Sequence, residues 1–292
     1  MTTAVLVTGA NKGIGLATVS AILTAREDAW VGLGARDPER GRAARDALVS
    51  DHPEWAERIE VVVIDVADDA SVRAAAEHVA ARHPELYGVV NNAGIGLGSA
   101  DLDGVLEVNT YGPKRVCDAF LPLTRERIVN VSSASGPMFL AGCSRARQVQ
   151  LTASDVTWAD VERFIADARA VAGGDGDFAA AGMGGGNAYG LSKACLNAYT
   201  IALAREHEGL CINACTPGYI ATDLTLPRAR DRGADPSAMG MKSPAEGTRA
   251  TMHLLFGTPG GSGWYFGSDA QRSPLDRYRA PGDPPYRGDE AT

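Results

Sequence analysis

Lysine is scarce in this sequence, 4 residues against 24 arginines, and aromatic residues make up only 6% of it. There is no excess of positive charge: the formal net charge is −8, which leaves no basic surface for a phosphate backbone and removes nucleic acid from the expected partners. No apolar run reaches the length of a membrane span, so no membrane partner is expected. The opening MTTAVLVTGANKGIG has no charged stretch ahead of a long apolar segment and runs straight into a strand-and-turn pattern, so a cytoplasmic protein without a signal peptide is expected. The five cysteines (Cys117, Cys143, Cys195, Cys211 and Cys215) are odd in number and irregular in spacing, unlike a disulfide framework. Cys211 and Cys215 share one strand parity and read as core, and the five histidines fall at no ligand spacing, so no metal is expected.

What the sequence does have is alternation. With 292 residues and 45% hydrophobic content the chain can bury one large core. Short apolar runs alternate with helical patterns of Ala, Arg and Leu through the first half, the sequence form of repeated β-α units. Strands are expected at 4–8, 30–35, 59–65, 88–91, 128–132, 211–216 and 264–266, giving an α/β architecture: one doubly wound, seven-stranded parallel sheet with helices on both faces. Continuous apolar runs such as AVLVT and VVVID fit strands buried on both sides. Roughly 56 positions separate Ser133 from Tyr189, more than a β-α connection needs, so a segment is inserted at about 134–187. Within it the Thr157 and Asp160 start and the apolar Val161, Phe164, Ile165, Ala168 and Val171 predict an amphipathic helix. The following GGDGDFAAAGMGGGN is too rich in glycine for regular structure and reads as a mobile flap or a slack linker. One catalytic domain over 1–270 is expected, with a proline- and charge-rich, poorly ordered tail at 271–292.

Thr8, Gly9, Ala10, Asn11, Lys12, Gly13, Ile14 and Gly15 sit between the first strand and an apolar-periodic helix. Glycines there let backbone approach a pyrophosphate, whose charge faces the amides and positive dipole of the helix N-terminus. Alone, the glycines fit a tight strand-to-helix turn equally well. The end of the second strand selects the dinucleotide: an acidic residue accepts from the ribose of NAD, whereas an arginine suits the extra phosphate of NADP. Arg36 stands there, with Lys12 able to add a second cation, and this favours NADP(H). Asp37, one position on and beside Pro38, is either a ribose acceptor or a helix N-cap.

Tyr189 and Lys193 are spaced i, i+4 in the helical stretch AYGLSKACLNAYTIALARE, so both project from one face. An ammonium beside a phenol lowers the phenol's pKa and makes it a usable general acid. With 8 tyrosines and 4 lysines, chance supplies about 0.1 such pairs in a chain of this length. Ser132 and Ser133 end the fifth strand, and Asn91, Asn92, Ala93 and Gly94 end the fourth, at the rim where open α/β sheets bind ligands; each is otherwise a turn. Asn109 falls mid-helix, where an amide is mildly unfavourable and signals a special role.

In chain order, TGxxxGIG, NNAG, Asn109, VNVSS, YxxxK and the Pro217-Gly218 turn resemble the short-chain dehydrogenase/reductase family over residues 1 to about 270. TGANKGIG, the GARD segment, the long insertion, NACTPGY and KSPAEG are similar to its monomeric, NADPH-dependent carbonyl reductase branch. The resemblance implies a Rossmann fold in which Tyr189 protonates a carbonyl oxygen, Ser133 hydrogen-bonds it and Lys193 depresses the tyrosine pKa and binds the nicotinamide ribose. It also implies that Asn109 holds a relay water, that Asp65 and Val66 meet the adenine, that Asn91, Ala93 and Gly94 flank the cofactor, and that Pro217, Gly218 and Thr222 hold its carboxamide end. Two departures stand out: the segment from Gly94 to Asn109 is short, so the helix before Asn109 starts late, and the insertion shares little detail with the family. The branch implies a monomer, because its insertion covers the face other members use to assemble.

For the substrate side, Met138, Phe139, Trp158, Met183 and Tyr219 are candidates for an apolar pocket lid, or else core and surface filler. No cluster of cations offers an anchor for an anionic substrate, so uncharged ketones, aldehydes or quinones are the expected small-molecule substrates. Competing functions are an alkene (enone) reductase on the same scaffold, the reverse oxidation of an alcohol, and a non-enzymatic NADP(H)-sensing protein. Tyr189 together with Ser133 favours a carbonyl over an alkene, and a sensor has no need of Tyr189 with Lys193.

Overall fold

The segment TAVLV is buried at every position, as a strand inside a sheet with both faces covered is. In this computed structural model, which describes residues 3–96, 100–174 and 176–288, that strand is β1 (Thr3–Val7). The chain continues through α1 (Gly13–Ala25), β2 (Ala29–Ala35), α2 (Pro38–Asp51), β3 (Ile59–Val63), α3 (Asp69–Arg82) and β4 (Leu86–Asn91). Next come α4 (Leu102–Leu106), a π-turn (Glu107–Tyr111), α5 (Gly112–Phe120) and β5 (Thr124–Val131). The remaining elements are α6 (Ser135–Ala141), α7 (Arg145–Thr152), α8 (Trp158–Gly173), α9 (Ala188–Glu206), β6 (Cys211–Cys215), α10 (Leu226–Asp231), α11 (Arg249–Phe256), β7 (Tyr265–Phe266) and β8 (Arg272–Ser273).

The sheet order is β3-β2-β1-β4-β5-β6-β7-β8, parallel throughout except for the antiparallel β7–β8 pair. All seven expected strands are present, and β8 adds an eighth that the sequence reading lacked. Two residues paired only at one end carry too little apolar pattern to be seen in a sequence. Strand order reverses between β1 and β4, whose register places Val7 opposite Val90, so a crevice opens beyond the carboxyl ends of these two strands.

Two apolar layers sandwich the sheet. One packs β1, β2 and β5 against α1, α2 and α11 through Val5, Val31, Ile22, Leu33 and Leu254; the other packs Leu6, Val62, Val89, Val79, Val116 and Phe120 on the opposite face. The insertion builds its own core: Phe139, Leu140, Leu151, Phe164, Ile165 and Met183 bury themselves against Leu191, Ala194, Cys195 and Ala198 of α9. The expected amphipathic helix is α8, opened by a capping box in which Thr157 accepts from the Asp160 amide at 3.2 Å and the Asp160 carboxylate accepts from the Thr157 amide at 2.9 Å. From residue 176 on, the glycine-rich stretch runs in turns, pinned by buried Met183 and by the Ser144 amide donating to the Gly182 carbonyl at 2.8 Å.

The start of the tail is tied to the body of the protein by specific contacts. Arg279 is buried, pairs with Asp269, and donates to Ser273 Oγ at 2.9 Å and to the Asp283 carbonyl at 2.7 Å. The Tyr286 amide donates to the Arg272 carbonyl at 3.0 Å, which ties that part of the tail to β8. One buried arginine with several acceptors supplies the anchoring that proline-rich composition conceals. The last expected tail positions, 289–292, lie outside the described residues.

Candidate active site

The glycine loop meets the rim of β4 closely enough to require glycine. Gly9 adopts φ +62°, and a Cβ on it would stand 2.7 Å from the Ala93 backbone; Gly13 adopts φ +55°. A Cβ on Gly15 would lie 2.5 Å from both the Gly9 carbonyl and the Asn92 amide nitrogen. Thr8 Oγ1 accepts from the Asn92 and Ala93 amides at 3.1 Å each, and Asn92 Nδ2 returns a bond to the Thr8 carbonyl at 2.9 Å. Lys12, the N-cap of α1, is extended and makes no side-chain cap, so the first-turn amides of α1 face the crevice beside half-buried Asn11 and Ile14. Open amides and a helix dipole, presented by a loop that glycine lets fold tightly against the β4 rim, fit a pyrophosphate.

At the end of β2 the two charged neighbours divide. Asp37 caps α2, accepting from the Glu39 and Arg40 amides at 2.9 and 3.1 Å, while Arg36 is exposed and has no hydrogen bond or ion pair among the described residues. A guanidinium free at this position, with the adjacent carboxylate tied into a cap, fits a ribose phosphate better than a bare ribose. Lys12 is not similarly free: its Nζ lies 2.6 Å from Asp223, an exposed pair. That lysine holds Asp223 below the usual carboxylate range. Thr222 stands against Gly13, and Leu224 against Gly96, so the segment after β6 lies across the mouth of the crevice. Gly218, at φ +95°, turns the chain after Pro217 into that segment. Asp65 caps the Ala67 amide at 3.0 Å after β3, and Val66 is buried beside it.

Four groups converge at the carboxyl ends of β4 and β5. Tyr189 and Lys193 share one face of α9, with the Lys193 ammonium 5.9 Å from the Tyr189 ring centre. Ser133 follows β5 with its hydroxyl beside the Tyr189 phenol, and its Oγ accepts from the Ser135 amide at 3.2 Å. Asn109 is fully buried in the π-turn; its Oδ1 accepts from the Ile95 amide and its Nδ2 donates to the Ile95 carbonyl, each at 2.9 Å, and also to Ser192 Oγ at 3.1 Å. A Cβ on Gly94 would stand 3.2 Å from Asn109 Oδ1 and 3.6 Å from Lys193 Nζ, so glycine lets these two come together.

The electrostatics depart from expectation. Lys193 is 4% exposed and donates to the Val131 carbonyl at 2.9 Å. Burial lowers its pKa to about 8, against a small upward pull from Cys215. Burial also pushes the Tyr189 phenol up, and the neighbouring Ser133 hydroxyl offsets this only in part. The expected depression of the phenol by the ammonium is therefore not found in the protein alone, because Lys193 directs its charge at the end of β5 and desolvation dominates both groups.

Other expectations resolve by burial. The Asn91 side chain points inward, donating to Asn130 Oδ1 at 2.9 Å and to Cys117 Sγ at 3.3 Å, so only its backbone can face a cofactor. Phe139, Met183 and Trp158 belong to the core of the insertion and not to a lid; Trp158 makes edge contacts with Tyr111 and Tyr199. Met138 is 58% exposed and Tyr219 half-buried. Ser192 and Asp223 were missed. Ser192 was legible as a lone hydroxyl on an apolar helix face three residues from Tyr189, whereas nothing in sequence links Asp223 to Lys12. Among the described residues no cluster of metal-binding side chains occurs.

A glycine loop at a sheet's switch point, with a tyrosine, lysine, serine and asparagine at the adjoining rim, defines a dinucleotide-binding oxidoreductase site. Comparison with known proteins narrows the class. The short chain dehydrogenase profile matches residues 3–145. The chain is 32% identical to (+)-neomenthol dehydrogenase of Arabidopsis thaliana over 256 residues, 76% of this chain and 84% of that protein. It is 31% identical to carbonyl reductase (NADPH) 1 of Bos taurus over 270 residues, 85% and 89% of the two chains. Among solved structures, menthone neomenthol reductase from Mentha piperita superposes with TM-score 0.74 at 27% identity, covering 92% of this chain and 99% of that one. The chain belongs to the short-chain dehydrogenase family.

Proposed function

We propose that this protein reduces an uncharged ketone, aldehyde or quinone to the alcohol with NADPH as hydride donor and Tyr189 as proton donor. The observation that carries this reading is the convergence of Tyr189, Ser133, Lys193 and Asn109 beside a glycine loop whose partner strand ends in an unpaired Arg36. Bound NADPH would supply the hydride. Ser133 holds the carbonyl oxygen in hydrogen-bond reach of the Tyr189 phenol, which stays protonated at neutral pH because burial raises its pKa. Lys193, an ammonium below about pH 8, carries positive charge on the same helix face and reaches ribose hydroxyls. Asn109 fixes the turn that faces Lys193 and would hold a relay water to it. Arg36 takes the ribose phosphate; Gly9, Asn11, Gly13, Ile14 and Gly15 take the pyrophosphate; Pro217, Gly218 and Thr222 border the nicotinamide.

Apolar side chains border the site. Met138 lies five residues beyond Ser133, and Leu224, 45% exposed, packs on Gly96 beyond the Asn91-to-Gly94 rim, which supports an apolar substrate without formal charge. A monomer and a cytoplasmic setting complete the reading: α8 already covers part of α9, and no helix among the described residues is long and apolar enough to cross a membrane. Consumption of NADPH against a panel of ketones, quinones and enones tests the function, with oxidation of NADPH by ketones or quinones expected and activity on enones alone contradicting it.

Two smaller effects follow. Asp37→Ala removes the α2 cap and lowers stability by about 1 kcal/mol in denaturant titration, while the preference for NADPH over NADH stays as it was. A switch of preference would put Asp37 on the ribose. Asp223→Asn releases Lys12 toward the phosphates and tightens NADPH binding roughly two- to fivefold at low salt, as read by cofactor fluorescence. Weaker binding would mean that Asp223 itself helps to hold the cofactor.

A further inference from the structure

The turn that carries Asn109 is held on its outer side by an arginine of the inserted helix. Arg169 of α8 donates from Nε to Asp103 at 2.6 Å and from Nη1 to the Tyr111 hydroxyl at 3.4 Å; its Nη2 lies 3.9 Å from Glu107. Its guanidinium also stands 5.6 Å from the centre of the Tyr111 ring. Residues 103, 107 and 111 step by four along one side of the helix. Asp103 precedes the π-turn, Glu107 opens it and Tyr111 closes it, so one planar fork spans the irregularity from end to end. Arg115 extends the ladder, donating to Glu107 Oε2 at 2.5 Å, to the Glu107 carbonyl at 3.2 Å and to Asp69 at 2.9 Å. Asn109 and Thr110 bind the inner side to α9, Thr110 Oγ1 donating to the Ser192 carbonyl at 3.0 Å.

A π-turn widens the helix and weakens its own hydrogen-bond ladder, so it persists where surroundings fix it. An exposed pair alone contributes little, but a single guanidinium with three partners is a rigid clamp that no point charge reproduces. We propose that Arg169 is a positioning residue: it splints the π-turn from outside and so sets Asn109 against Gly94, Ser192 and Lys193. The inserted helix is then a working part of the site as well as a cover over α9. This inference rests on the role given to Asn109 above.

The test uses the full chain and two readouts, amide hydrogen exchange over residues 105–112 and kcat for NADPH-dependent reduction of a ketone the wild type turns over. Arg169→Ala is expected to speed exchange in 107–111 about tenfold and to lower kcat about fivefold at unchanged KM for NADPH. Asp103→Ala, which removes the acceptor of the shortest contact from the other side, should move both readouts the same way. In an Asn109→Ala background, Arg169→Ala should cost no further turnover, because its effect passes through Asn109. Unchanged exchange, or the same fold loss of kcat in both backgrounds, overturns the proposal. Should Asn109→Ala itself turn over like the wild type, the catalytic role of Asn109 fails and the inference with it, a result separable from the exchange data.

Discussion

Tyr189→Phe should bind NADPH like the wild type and lose two to four orders of magnitude in kcat, about the contribution of a positioned general acid. The substitution deletes one oxygen and keeps the ring in its place on α9, so packing against neighbouring residues survives. What disappears is the hydroxyl that stands beside Ser133 and can deliver a proton to a substrate oxygen. Burial keeps that proton on the phenol at neutral pH, the state an acid catalyst needs before the hydride arrives. Steady-state turnover and cofactor fluorescence separate the two properties. A variant that retains turnover within a few-fold of wild type takes Tyr189 out of the chemistry.

Arg36→Ala should raise KM for NADPH by about 10- to 100-fold and leave KM for NADH within about twofold. The range corresponds to one or two hydrogen bonds to a charged group, about 1.5–3 kcal/mol. Because Asp37 is held by the Glu39 and Arg40 amides, the junction between β2 and α2 keeps its shape when the neighbouring guanidinium is removed. An equal rise for both cofactors would mean that Arg36 shapes the junction and does not bind a phosphate.

Much of this architecture is legible because its signals are local. Strands buried on both faces announce themselves as unbroken apolar runs, and the glycine loop, the Thr157 capping box and the i, i+4 spacing of Tyr189 and Lys193 each lie within a few residues. What sequence hides is set by distant partners. Arg279 reaches Asp269 and folds a proline-rich tail, and Lys12 finds Asp223 across 211 positions. Phe139 and Met183 read the same as lid or core until the insertion is seen to form its own apolar cluster. The Tyr189 phenol was expected to shift down from its neighbour's charge, yet its pKa follows its surroundings, because a buried ammonium aimed at a carbonyl does less than the loss of water.

The proposed chemistry turns on hydride delivery to a carbonyl carbon. Incubating the protein with NADPH deuterated at the transferred position of C4 and a ketone, then locating the label by mass spectrometry and NMR, tests it most directly. Deuterium is expected on the carbinol carbon of the product, and at matched times at least a hundredfold less of it in the Tyr189→Phe reaction. Deuterium on a carbon β to an intact carbonyl, or no transfer to any ketone or quinone, would contradict it.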